Sequence, residues 1–362
     1  MTRRHLCALF VVALMGACGS DQQAGAADNA VLLMYHHVDE STPPSTSVTP
    51  QQFEAHLDYL DHEGYQVRPL LEVLTALRNG EPIAEKTVVM TFDDGYVSVL
   101  ETAMPLLRDR GWPFTVFVTT NYASGNHTGY LDWDQLRELT ANGATIGNHT
   151  HSHAHLVRRR EGESESDWRQ RILAEIDGAA IRLTEELGDA AVPVLAYPFG
   201  EYDSAIKTLV EDLGLFALGQ HSGAAGSESD FLALPRFPMA SGYDDLDDFA
   251  ERVRSRTLPI RLVGTERHVI SASESQPSLR MRLLPGDYRA DSLACYATAQ
   301  GAMEIEWIGD GTAEVVVRPL QSLHPGRSKY NCTAASASET GIYYWFSYLW
   351  MMKNSDGSWY AE

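Results

Sequence analysis

Thr87-Val88-Val89-Met90-Thr91-Phe92-Asp93-Asp94-Gly95 is a mostly apolar run that ends without a break in two acids and a glycine. It shows no strict polar–apolar alternation, so it reads as a strand buried on both faces. Two neighbouring carboxylates repel each other unless a cation or a base lies between them. Gly95 permits the tight exit that brings both acids toward one pocket.

The same arrangement recurs along the chain. Val31-Leu32-Leu33-Met34-Tyr35 leads into His36-His37, and Ala144-Thr145-Ile146-Gly147 leads into Asn148-His149. Val194-Leu195-Ala196 leads into Tyr197-Pro198-Phe199-Gly200, and two further apolar runs lie at Phe114–Val118 and Leu215–Leu218. Helical patterns separate them. Thr49-Pro50 and Asp132 read as helix starts, and Trp168, Ile172, Ile176, Leu183 and Leu187 mark a long amphipathic helix. Repeated strand–helix units imply an α/β fold with a parallel sheet covered by helices. Chemistry in such folds gathers at the carboxyl ends of the strands, which makes the polar residues after each run the candidates.

Beyond about Pro259 the texture changes. Met303–Ile308 and Ala313–Val317 flank Gly309-Asp310-Gly311, a hairpin signal, and Gly341–Phe346 with Trp359-Tyr360 flank a second turn at Asn354–Gly357. This predicts a small β-rich domain over 259–362. Cys295 and Cys332 fall inside it, an even pair expected to form a disulfide in an oxidising compartment. The aromatics Tyr343, Tyr344, Trp345, Tyr348 and Trp350 read as a β core in preference to a sugar platform.

The first residues, Met1-Thr2-Arg3-Arg4, precede an apolar run from Leu6 to Met15. A basic start and a run too short to span a bilayer read as a secretory signal over 1–17. Leu14-Met15-Gly16-Ala17-Cys18 is similar to the bacterial lipoprotein signal, in which the Cys is lipidated. Residues 18–29 then form a flexible tether. The expectation is an exported lipoprotein of the periplasm or cell envelope, attached to membrane by its lipid; Gly19 after the Cys points by analogy to the outer membrane. A net charge of −21 argues against nucleic acid, whose phosphates call for a basic surface. No protein partner is expected.

His149 and His153 are four apart, and on a helical turn that spacing puts both imidazoles on one side, within reach of one ion. A carboxylate from elsewhere completes a His₂-carboxylate set with an open position, the pattern of catalytic zinc. Thr150 stands where a metalloprotease carries Glu, which disfavours a protease. His151 and His155 crowd the segment, so spacing alone does not choose the pair. Of the two acids, one can ligate while the other stays free as general base.

Thr91–Gly95 resembles the first signature of the NodB-type polysaccharide deacetylases, carbohydrate esterase family four. His149-Thr150-His151-Ser152-His153 resembles the second signature, and Ala196-Tyr197-Pro198-Phe199-Gly200 the third. The similarity spans roughly residues 30–246, and the domain is drawn at 30–258. It implies a distorted (β/α) barrel followed by the small β-rich domain. It implies Asp93 as general base, and Asp94, His149 and His153 as ligands of a divalent metal, usually zinc. The backbone N–H of Phe199 helps cradle the oxyanion, and Trp133 and Tyr197 are expected at the substrate surface.

There is no convincing late Leu-any-His signature for the general acid. The poly-β-1,6-N-acetylglucosamine deacetylases carry that His early, and Tyr35-His36-His37-Val38 is similar to their form. The acid is therefore His36, with His37 as the alternative. The third signature's usual Arg is replaced by Ala196, and Arg236, in Leu234-Pro235-Arg236, is the candidate to supply that cation from another loop. The expected activity is removal of N-acetyl groups from an N-acetylglucosamine polysaccharide. Alternatives are a peptidoglycan deacetylase, an O-acetyl xylan esterase, or a non-catalytic glycan-binding lipoprotein.

Overall fold

A computed structural model describes residues 26–125, 127–309 and 313–361. The expected signal, the expected lipidation site Cys18 and most of the expected tether lie outside the described residues. The tether's last residues do not stay loose. Ala26–Ala27 pairs antiparallel with Ile83–Ala84, and Asn29 already begins a strand.

Six parallel strands are the backbone of the nine-stranded main sheet: β1 (Asn29–Tyr35), β2 (Thr87–Phe92), β3 (Phe114–Val118), β4 (Ala144–Asn148), β5 (Ala191–Ala196) and β6 (Phe216–Leu218). They lie in sequence order across it, as short right-handed crossovers favour. Registers pair Tyr35 with Phe92, Phe92 with Val116, Val118 with Asn148, Leu195 with Asn148 and Ala196 with Leu218. The carboxyl ends of the strands thus form one staggered rim, and the residues that follow them share it. All six residues of β2 are buried, as an unbroken apolar run requires.

The sheet curls until its edges nearly meet. On one side, β7 (Phe237–Pro238) runs parallel to β1, with Phe237 opposite Leu33. A few residues earlier, Leu234 bridges Leu218 of β6 and accepts a hydrogen bond from the Gly219 N–H at 2.8 Å. One segment, residues 234–238, therefore touches both edges and closes the distorted barrel.

Helices cover the outside. α1 (Pro50–His62) begins in a capping box, Thr49 and Gln52 each bonding the other's backbone N–H. α2 (Leu70–Arg78) and α3 (Met104–Asp109) follow, and α4 (Trp133–Ala141) has a second capping box from Asp132 and Gln135. α5 (Glu165–Leu187) buries Trp168, Ile172, Ile176 and Leu183 on one stripe, and the Trp168 indole N–H donates to the Leu156 carbonyl at 3.0 Å. α6 (Ser204–Asp212) and α7 (Leu246–Val253) follow. No helix of the described residues is long and apolar enough to cross a membrane.

The C-terminal region builds on β8 (Leu279–Leu283), β9 (Ala294–Ala297), β10 (Glu314–Arg318), β11 (Gly326–Ala335) and β12 (Tyr343–Met352). Glu304–Trp307 pairs antiparallel with β10, as the first hairpin signal predicts; the turn residues 310–312 lie outside the described set. The second hairpin forms differently. β12 pairs with β11, the strand before it, and Trp359-Tyr360 is no strand at all. The tail is instead held by Arg158, whose guanidinium donates to the Tyr360 carbonyl at 3.1 Å. Cys295 and Cys332 face each other across β9 and β11 and form the disulfide. Tyr344, Tyr348 and Trp350 are buried in this core. The two regions share packing: Leu349 and Met351 of β12 sit in one cluster with Leu195, Tyr197 and Tyr202.

Candidate active site

The rim of the barrel gathers the residues that follow the strands. Asp93 and Asp94 come directly after β2, and His149 directly after β4. The backbone there is unusual. Asp94, Thr150, His153 and Phe199 all have φ between 58° and 71°, a region that non-glycine residues rarely occupy. Four such residues at one rim mark a surface whose backbone is bent to aim side chains.

Asp94 Oδ1 lies 3.1 Å from His149 Nε2 and 3.3 Å from His153 Nε2. One donor atom from each of the three residues falls within 4.8 Å of the other two. The two histidines are not on a helix; the loop turns sharply at Thr150 and again at His153, and these left-handed residues replace the helical turn that the spacing predicts. His151 turns away to Thr120, its Nδ1 at 3.1 Å from the hydroxyl, and His155 places Nδ1 2.8 Å from Glu201. The structure thus selects His149 and His153 from the crowded segment.

The protonation pattern tests whether a cation fits. His149 Nδ1 is 2.8 Å from the Ala196 carbonyl, which can only accept, so Nδ1 carries the proton. In the neutral ring, Nε2 then bears a lone pair. It is fully buried and finds no hydrogen-bond partner, although the Asp94 oxygen is close. Two electron-pair donors facing each other at that distance fit a divalent cation between them, and the Ala196 carbonyl is the outer contact that fixes such a ligand ring.

Asp93 has a different environment. It is wholly buried, and the equally buried Arg236 donates from Nη1 to Oδ1 at 2.6 Å and from Nη2 to Oδ2 at 2.7 Å. Arg236 is itself fixed: Nε donates to the Gly219 carbonyl at 3.0 Å, and Nη1 also reaches the Thr91 hydroxyl at 3.1 Å. Burial alone would raise the Asp93 pKa; the charge and hydrogen bonds of Arg236 outweigh it, and the net shift is downward. Arg236 reaches this place because the barrel-closing segment delivers it there, between Leu234 and Phe237.

His36 follows β1 on the same rim, half-buried. His37 stacks on Tyr96, ring centres 3.5 Å apart, and its pKa is lowered by burial and then by His36. Phe199 lies in a short turn after β5, its ring centre 4.5 Å from that of His153 in a T-shaped pair and 4.0 Å from that of His155 in a stacked one. Trp133 starts α4, half-buried, donating to the Ser124 hydroxyl at 3.2 Å under the Arg182 guanidinium. Tyr197 does not reach the substrate surface. It is fully buried, stacks on Tyr202 and donates its hydroxyl to the Leu232 carbonyl at 2.8 Å, so it is a core residue.

One polar residue at this rim escapes the sequence reading. Glu201, two residues past Phe199, is wholly buried among His155, Arg158, Arg327 and Tyr360. Its partners lie up to 159 positions away, and no local pattern announces them.

Residues 80–218 match the polysaccharide deacetylase family. YxkH of Bacillus subtilis (strain 168), provisionally named a polysaccharide deacetylase, is 27% identical over 212 residues, covering 58% of this chain and 71% of that protein. The poly-beta-1,6-N-acetyl-D-glucosamine N-deacetylase of Escherichia coli (strain K12) is 22% identical over 261 residues, 62% of this chain. The match spans 38% of that relative's length. IcaB from Ammonifex degensii has the same fold, with a TM-score of 0.55 at 22% identity, covering 63% of this chain and 97% of that one. The resemblance carried by the three signatures therefore holds, and the chain contains a NodB-type polysaccharide deacetylase domain.

Proposed function

We propose that this chain, with its polysaccharide deacetylase domain, is a divalent-metal-dependent hydrolase that removes N-acetyl groups from a poly-N-acetylglucosamine-like polysaccharide at the cell envelope. The observation that carries the reading is the pairing of two unlike acids. Asp94 joins His149 and His153 in a set that fits a cation, while Asp93, one residue earlier, is turned into a separate grip by Arg236.

Asp94, His149 and His153 hold the metal, zinc in the simplest case. When bound, a divalent cation supplies Lewis acidity, polarising a carbonyl and making water a better nucleophile near neutral pH. The protein's own groups do the rest. Asp93, oriented by Arg236, takes a proton from the attacking water as its oxygen bonds to the acetamide carbon. The Phe199 N–H donates to the oxygen that gains negative charge. His36 gives a proton to the departing nitrogen as the C–N bond breaks, so acetate and a free amine leave. His37 suits that role less, because burial and the neighbouring His36 lower its pKa and so weaken its hold on a proton.

The glycan assignment draws on the name of the Escherichia coli relative and on the early position of His36. Export as a lipoprotein is proposed from the Leu14–Cys18 pattern, and the Cys295–Cys332 disulfide fits an oxidising compartment. Labelled fatty acid that still enters a Cys18→Ser chain would end that part of the reading. The activity is tested by acetate release from poly-β-1,6-N-acetylglucosamine, chitin oligomers and peptidoglycan, with and without chelator. Chelator-sensitive release from the first polymer supports the proposal. Preference for peptidoglycan reassigns the substrate, and release from none ends the enzymatic reading.

A further inference from the structure

We propose that the C-terminal strand-rich region is a working part of the deacetylase site, and that Arg327 and Tyr360 are positioning residues acting through Glu201 on the Phe199 turn. The proposal rests on the function proposed above and assigns a role to a region that lies beyond the family match at residues 80–218.

The turn needs holding. Phe199 has φ 60° and ψ 4°, a conformation that a phenylalanine keeps only when its surroundings enforce it. Gly200, next in line, also has φ 66°, and a Cβ there would sit 2.7 Å from the Gln220 Cβ, so only glycine fits. The oxyanion donor is the N–H of the first of these two strained residues. Such donors act only when held within a fraction of an ångström of their working position.

The fixing comes largely from the other end of the chain. Glu201 is wholly buried and meets Tyr360 Oη at 2.6 Å, His155 Nδ1 at 2.8 Å, and Arg158 and Arg327 guanidinium nitrogens at 3.2 Å each. Arg327 also lies over the Phe199 ring, its Cζ 5.4 Å from the centre. Arg158 binds Glu201 and the Tyr360 backbone carbonyl at once, so the tail is clamped from both sides. The Phe199 ring in turn packs in a T-shaped pair with His153, ring centres 4.5 Å apart, and His153 is one of the three groups that fit a cation. An unbroken chain of contacts thus runs from Tyr360 and Arg327, through Glu201 and Phe199, to the reacting centre. A seam serving cohesion alone has no need to bury a carboxylate two residues from the oxyanion donor, because apolar packing does that at lower desolvation cost.

The test uses the full chain with Tyr360→Phe, Arg327→Gln and Arg327→Lys. Four properties are measured: thermal midpoint, zinc uptake, hydrogen exchange over residues 196–202, and kcat and KM for acetate release from poly-β-1,6-N-acetylglucosamine. Tyr360→Phe and Arg327→Gln are expected to lower kcat by about 10- to 100-fold, the scale of a small displacement of a catalytic group. KM and zinc uptake stay near wild type, exchange over 196–202 accelerates, and Arg327→Lys recovers part of kcat. Tyr360→Phe removes a single oxygen, so it decides the matter if Arg327→Gln does not fold. Unchanged kcat in Tyr360→Phe and Arg327→Gln, or in Tyr360→Phe alone if Arg327→Gln does not fold, overturns the proposal, whatever the exchange shows. So does a kcat loss that follows only the global thermal midpoint, with no local rise in exchange. A wild-type chain that releases no acetate sinks the deacetylase reading instead, and the clamp then stands or falls on exchange over 196–202.

Discussion

Arg236 and Asp93 form a two-pronged, fully buried ion pair, 2.6 and 2.7 Å, between residues 143 positions apart. Ala196 stands in the third signature where the family resemblance leads one to expect Arg, and Arg236 comes to the acid from the segment that closes the barrel. A cation therefore reaches Asp93 from outside the third signature.

Removing that cation leaves a buried, unpaired carboxylate. Arg236→Ala is expected to cost about 3–5 kcal/mol of stability. It also raises the Asp93 pKa, because burial then acts unopposed by Arg236. The acid limb of the kcat/KM profile therefore moves to higher pH. Denaturant titration and a pH–rate profile check both, and Arg236→Lys restores the charge without the fork. A profile unmoved in Arg236→Ala contradicts the assignment.

The two acids should separate by function. Asp93→Asn keeps the metal and loses about 10²–10⁴ in kcat, the usual range for a positioned acid–base group. Asp94→Asn or His149→Ala loses the metal first. Metal analysis beside acetate release tells the cases apart. If Asp93→Asn lost its metal and Asp94→Asn kept it, the roles would be reversed.

The strands and their polar endings were legible because an apolar run and the acid after it are adjacent in sequence, as in Thr87–Asp94. The His149–His153 spacing points to the pair that the structure brings together with Asp94, but the loop reaches that geometry through left-handed Thr150 and His153, not through a helix. Tyr197 misled because a residue inside a signature can still turn inward to pack on Tyr202. The tail misled because Trp359-Tyr360 look like strand residues, yet Arg158 and Glu201 hold them outside any ladder. Glu201 itself was invisible, since what makes it matter comes from Arg327 and Tyr360, contacts that only the folded chain creates.

Glu201 also predicts an acid response. Burial opposes its charge, but His155, Tyr360 and Arg158 hold the carboxyl down to about 2, against an ordinary 4.5. A depressed folded pKa stabilises above the unfolded value and is lost as pH falls through the folded one. Glu201 thus contributes about 3 kcal/mol above pH 4.5 that disappears toward pH 2. The stability difference between wild type and Glu201→Gln should shrink over that window. A difference constant from pH 5 to about 2 would show that Glu201 does not titrate there.

The Cys295–Cys332 bridge closes a 37-residue separation, for which chain entropy gives roughly 3–4 kcal/mol. Unfolding with and without reductant should differ by about that amount. Equal stability in both states would show that the bridge does not restrain the unfolded chain.

The most direct measurement is acetate release from poly-β-1,6-N-acetylglucosamine by protein stripped with chelator and then titrated with zinc. Activity should vanish on stripping and return as about one zinc binds per chain, with no return in His149→Ala. Full activity in the stripped protein, or zinc binding that leaves His149→Ala as active as wild type, would contradict the account.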